Sequence, residues 1–158
     1  MSPIKKLLCL TILFAMLFTG ISCKKESKGP TTVELITKAT WKFNKATASG
    51  IDVSSLVNAC IKDNLLNFIA SSPLNTGNLN EGTTKCNPAD AQQVDFTWTY
   101  DDSFRKINIT SVGGGAVPIL PGGSNEFSLV RVSETELVLS QSITYMGTTQ
   151  LVEVTLIH

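Results

Sequence analysis

The sequence predicts an all-β fold: an eight-stranded antiparallel up-and-down (meander) barrel with a short helical turn at its start. Three observations predict it. From residue 40 onward, apolar and polar residues alternate with period two in one short segment after another. No stretch there carries a long amphipathic helical pattern, so the helical crossovers of a parallel sheet are excluded. The segments number eight, at which a closed sheet fills with side chains or holds one small ligand, and closure leaves no edge strand to template aggregation. A two-sheet sandwich is the alternative.

The elements follow in order. Thr32 is placed to cap a short helical turn over residues 33–39. The first strand is TWKFNKAT, residues 40–47, with Trp41 and Phe43 on one side. SSLVNAC, residues 54–60, suggests a second short turn. NLLNFIA (64–70) and NTGNLNEG (75–82) are weaker strands. VDFTWTY (94–100) sets Val94, Phe96, Trp98 and Tyr100 against Asp95, Thr97 and Thr99. An Asp101-Asp102-Ser103 turn leads to RKINIT (105–110), completing a hairpin. NEFSLVRV (125–132) is rich in strand formers on both faces. ELVLSQSIT (136–144) aligns Leu137, Leu139 and Ile143, and TQLVEVTLI (149–157) aligns Val152, Val154 and Leu156.

Ahead of this region the chain reads as a secretory signal over residues 1–22, with Lys5 and Lys6 before an apolar run at 7–18. That run is too short to span a bilayer, which takes ~20 residues. Gly20, Ile21 and Ser22 before Cys23 resemble a bacterial lipobox, which implies that Cys23 is lipidated; a plain secretory cleavage site beside an ordinary cysteine is the alternative. Residues 23–30 form a lipidated tether, and residues 31–158 a single domain. Five of the 13 basic residues and one of the 13 acidic residues precede Thr31, which leaves the domain with 8 and 12, about −4. Without a basic stripe, a nucleic-acid partner is excluded. The expected location is a bacterial outer membrane, facing the periplasm or the outside, with the membrane itself as a partner through Cys23.

Cys9 leaves with the signal, so Cys60 and Cys86 remain, an even pair in an oxidising compartment, and a disulfide is expected. Connection lengths agree. In a meander, alternate connections share an end. The long ones (48–63, 83–93 and 111–124) fall at one end, and the tight ones (71–74, 101–103 and 133–135) at the other. Only the short 145–148 connection breaks the contrast. Both cysteines fall at the loop-rich end.

The runs ITKATWKF, CIKDNLLNF, GTTKC and VDFTWTYDDSFRKINI make the chain resemble the bacterial lipocalin-like lipoproteins. The G-x-W of classical lipocalins appears as Ala39-Thr40-Trp41. The resemblance implies an eight-stranded barrel and a lipid anchor.

The sole histidine is His158, so no Ser/His/Asp or Cys/His arrangement can be assembled, and no cofactor or metal is implied. Asp52, Asp63 and Asp90 on the long loops are the one carboxylate set from which an enzyme could be built. The expected function is therefore non-enzymatic. Phe43, Phe68, Phe96, Trp98 and Leu139, with Ile119, Leu120 and Arg131, are the candidate lining of a small apolar or amphiphilic ligand's site. Packed core is the plainer reading of the aromatic face. Within GGGAVPILPGG (113–123), Ile119 and Leu120 serve as a lid, a plug or an exposed contact. Arg131 points inward if Phe127 and Leu129 do, to meet a carboxylate ligand or Glu153. The competing function is an envelope adaptor with a filled barrel, acting through its long loops.

Overall fold

The computed structural model describes residues 29–113, 117, 119–120, 124–145 and 147–158. The signal segment, Cys9, Cys23 and the tether up to residue 28 lie outside the described residues, as do residues 114–116, 118 and 121–123 of the glycine-rich loop.

Among the described residues, nine strands form one sheet: β1 (Thr40–Ala48), β2 (Ile51–Asp52), β3 (Leu65–Ile69), β4 (Asn75–Asn80), β5 (Gln93–Asp101), β6 (Lys106–Ser111), β7 (Glu126–Val132), β8 (Glu136–Tyr145) and β9 (Thr148–Ile157). From β3 onward each pairs antiparallel with the next, and β1 pairs with both β3 and β9. The sheet thus closes as the expected eight-stranded barrel of β1 and β3–β9. The two-residue β2 is an addition. It folds back on β1 through Ser49 and Gly50, both at positive φ (49° and 80°), as a tight two-residue hairpin requires.

The first helix covers Thr32–Ile36, and its cap is Thr31 rather than Thr32. Glu34 decides this: it is three residues past Thr31, and the two form a reciprocal capping box. The hydrogen bonds from Thr31 hold the Glu34 carboxyl below its ordinary range. Trp41 Nε1 donates to Ile36 O (2.7 Å), and the His158 ring packs edge-on against Trp41 at 5.4 Å. Lys38 pairs with Glu134 in the β7–β8 turn. These contacts close the tight-turn end of the barrel, where β1 begins. The described chain therefore starts at this floor, and the loop-rich mouth lies at the opposite end.

The core fills the barrel from floor to mouth. Trp41, Phe68, Phe96, Trp98, Ile107, Ile109, Leu137 and Leu139 are fully buried. Phe68 meets Phe96 and Trp98 edge-on, with centroids 5.6 and 5.2 Å apart. Trp98 Nε1 donates to Thr76 O (2.9 Å), so the indole is buried without losing its bond. Gly77 faces Phe96 across β4–β5; a Cβ there would lie 2.4 Å from the ring, so the ring occupies the space a side chain would take.

Two bulges set which side chains enter. In β1 the register shifts between Phe43 and Lys45, so Ala46 and Ala48 turn inward and the lysine does not. In β7 it shifts between Leu129 and Arg131. That second shift corrects the expectation for Arg131. The extra residue reverses the alternation, and Arg131 lies on the outer face, bonded to Glu136 (Nε–Oε2 2.8 Å), not to Glu153. Arg105 supports the bulge from the next hairpin. It donates from Nε to Leu129 O (3.0 Å) and from Nη2 to Val130 O (3.3 Å). Both carbonyls lie where the ladder shifts register.

Candidate functional site: the loop-rich mouth

The mouth is built from the connections after β1, β4, β6 and β8. After β1, a 3₁₀ turn (Ser54–Leu56) and a helical turn (Ala59–Lys62) replace the single turn expected over 54–60. Cys60 on the helical turn bonds to Cys86 beyond β4, with Cα atoms 5.1 Å apart, as expected. Close by, Asp63 Oδ2 accepts from Thr83 N (2.9 Å), Thr83 Oγ1 (2.8 Å) and Thr84 N (2.9 Å). Desolvation raises the Asp63 pKa, but these hydrogen bonds outweigh it and hold the carboxyl below the usual range. Gly82 adopts φ +64°, and a Cβ there would meet Asp63 O at 2.3 Å, so only glycine fits the turn that Asp63 grips. Gln92 donates to Gly82 O (2.8 Å) and Asn80 Oδ1 (3.1 Å), and Lys85 donates to Asp90 O. The long β4–β5 connection is thereby held to itself and to the start of β3.

Three apolar residues of the glycine-rich segment are described. Val117, Ile119 and Leu120 are buried and belong to the core cluster. They pack into the same cluster as Trp41, Leu66, Leu79 and Leu156. Their burial overturns the exposed-contact reading; a closed lid and a plug share this placement. Below Ile119 sits a cavity of about 20 Å³, lined by Trp41, Phe43, Ile61, Asn64, Leu66, Leu79 and Leu156 as well. One water fills such a space, whereas pockets for small molecules run to ~300 Å³ or more.

The candidate lining residues can now be placed. Phe68, Phe96, Trp98 and Leu139 are core residues at about 1 % exposure, and Phe43 packs half-buried beside them. Ile119 and Phe43 touch the cavity; Phe96 and Leu139 do not. Arg131 is outside the barrel. The carboxylates proposed for an enzyme are each engaged locally: Asp52 with Ser54 N, Asp63 with Thr83 and Thr84, and Asp90 with Asn87. Asp101 is a turn residue, accepting from Ser103 N and Phe104 N.

Polar side chains that sequence reading passed over also enter the mouth. Gln141 continues the inward series of Leu137 and Leu139 and is 4 % exposed; its Nε2 donates to Ser124 O and to Glu126 O (3.2 Å), tying β8 to the start of β7. Glu81 continues the inward series of Gly77 and Leu79. Its signal was the alternation of NTGNLNEG carried one residue past the strand. Exposed apolar residues ring the rim outside: Ile51, Leu56 and Val112, the last two about three-quarters exposed. Compared with known proteins, no family model matches the chain, and no curated protein matches it.

Proposed function

We propose that this is a lipocalin-like lipoprotein of the bacterial outer membrane, anchored through Cys23, that works as an envelope interaction module through its loop-rich rim. It does no chemistry. The observation that carries this reading is the filled interior: side chains occupy the barrel from Trp41 to Leu120, beside a cavity of about 20 Å³. A barrel whose inside is full acts with its outside. The end away from the tether carries a disulfide-braced rim with Ile51, Leu56 and Val112 exposed.

A second reading, capture or shielding of a small apolar or amphiphilic molecule in the barrel, is favoured by one observation. The cavity lies directly under Ile119 and is lined almost wholly by apolar side chains. Displacement of Ile119 and Leu120 would join that space to the mouth. Native mass spectrometry of protein purified from its own host separates the two. The bare polypeptide mass supports the rim reading; a stoichiometric small molecule overturns it in favour of capture. Photo-crosslinking in cells adds a positive arm, with a defined adduct expected from position 56 at the rim and none from position 104 at the floor.

A further inference from the structure

We propose that the corner where β3 begins and β4 ends binds a hard divalent cation, with calcium the best match. The proposal rests on neither reading of the function. The β3–β4 ladder pairs Leu66 with Leu79 and Leu65 with Asn80. One step further, Asn64 comes alongside Glu81, and then Asp63 alongside Gly82. The 2.3 Å approach of a Gly82 Cβ to Asp63 O, and 2.8 Å to its Cγ, fixes that last step.

Three oxygens in this corner are buried without a hydrogen-bond partner: Asp63 Oδ1, Asn64 Oδ1 and Glu81 Oε2. Glu81 is nine-tenths buried. Among the described residues, the ion pairs are Lys38–Glu134, Lys45–Asp52, Lys106–Glu126 and Arg131–Glu136, so neither Asp63 nor Glu81 has a cationic partner. Buried polar groups are nearly always satisfied, and buried charges are paired or bind metal. Three acceptors, two of them carboxylate oxygens, thus stand on adjoining residues without a donor, a set that a cation would complement.

The donor set decides the class. All three are oxygens, two of them carboxylate, and the two nearby cysteines are tied in a disulfide. Zinc and other soft-ligand metals call for imidazole or thiolate. Calcium takes about 6–8 oxygens from carboxylates, amide and backbone carbonyls and water, and tolerates irregular geometry better than magnesium does. The chain would supply the two carboxylates and the amide oxygen, with carbonyls and water completing the shell. Asp63 is oriented for this: Oδ2 is held by Thr83 and Thr84, which fixes where Oδ1 points. The Cys60–Cys86 bridge, three residues before Asp63 and five after Glu81, ties the two halves of the site together.

The test uses the barrel, residues 29–158, which contains every strand and the whole core described. Calcium chloride is titrated calorimetrically into EDTA-treated, dialysed protein, and the thermal midpoint is read in calcium and in EDTA. Wild type should bind about one equivalent and melt higher in calcium. Glu81→Gln, which keeps the shape and removes the charge, should weaken binding at least tenfold with an unchanged circular-dichroism spectrum. Asn64→Asp, which adds a charge, should tighten it several-fold, and Glu153→Gln on β9 should change nothing. Extracellular calcium modules bind at about 10⁻⁴–10⁻³ M, so no heat and no midpoint shift at roughly 5 mM calcium overturns the site. Wild-type affinity in Glu81→Gln also overturns it. Should that variant fail to fold, Asn64→Asp decides, and unchanged affinity there rejects the proposal.

Discussion

Gly77→Ala is the sharpest test of how the barrel is packed. The added methyl would lie 2.4 Å from Phe96 Cε2, 2.5 Å from Phe96 Cζ and 2.4 Å from Asn67 O. Carbon atoms settle at about 3.5–4.0 Å, so ring and backbone must part by roughly 1 Å. Neither is free to move. Asn67 is in β3, paired with Asn78 next to the glycine, and the Phe96 ring is wedged against Phe68, which is wedged against Trp98. Overpacking of this kind costs about 1–3 kcal/mol, while alanine regains ~0.5–1 kcal/mol over glycine in a strand. Two clashes coincide and one is with backbone, so the cost lies in the upper half of that range and the net loss is about 1–2.5 kcal/mol, which for a domain of this size lowers the thermal midpoint by roughly 3–10 °C. Urea and thermal unfolding followed by circular dichroism measure it. Phe96→Leu removes the ring edge, so in the double variant the alanine should do less harm than it does alone, with a coupling of at least ~0.5 kcal/mol. Wild-type stability in Gly77→Ala, or strict additivity with Phe96→Leu, would refute the close-packing argument.

Other outcomes follow from the same structure. Replacing Cys60 and Cys86 together with serine should cost about 3–4 kcal/mol on the chain-entropy estimate, read as a lower urea midpoint that reducing agent does not lower further. Arg105→Ala should cost about 1–3 kcal/mol because two carbonyls at the β7 bulge lose their donors, while Arg131→Ala should cost less than ~1 kcal/mol as an exposed ion pair; equal costs would contradict the assigned roles. Asp63 has a depressed pKa, so its stabilisation is fully present above the unfolded value of about 3.9 and is lost as pH falls through the lower folded value. Asp63→Asn should therefore flatten the acid limb of a stability–pH curve, and an unchanged limb would remove Asp63 from the account.

Strand order, closure and the disulfide were legible because they depend on features a sequence displays directly. Alternation marks strands, and the parity of connections puts Cys60 and Cys86 at one end. What failed was parity inside strands that bulge. NEFSLVRV is apolar on both faces, so nothing in it marks the residue that drops out of register, and Arg131 was carried to the wrong side. The same slip in β1 turns Ala46 and Ala48 inward. The Ser49-Gly50 turn was visible as a dipeptide, but the strand it starts has only two residues and no alternation to show. Glu81 and Asn64 stand at the ends of the two weaker strands, where the alternation did point Glu81 inward with Gly77 and Leu79, but nothing in the sequence marks the two as neighbours.

The floor helix has a mechanical meaning. The chain leaves the barrel beside Trp41, at the end of β1 farthest from the rim. A stretch between tether and rim therefore runs along β1, which is hydrogen-bonded to β3 over Thr40–Lys42 and to β9 over Lys42–Ala48. Those bonds lie across the direction of pull and must slide together, where bonds loaded one at a time would peel. A pull applied between the floor and the rim of the barrel would therefore meet the bonds of β1 in shear.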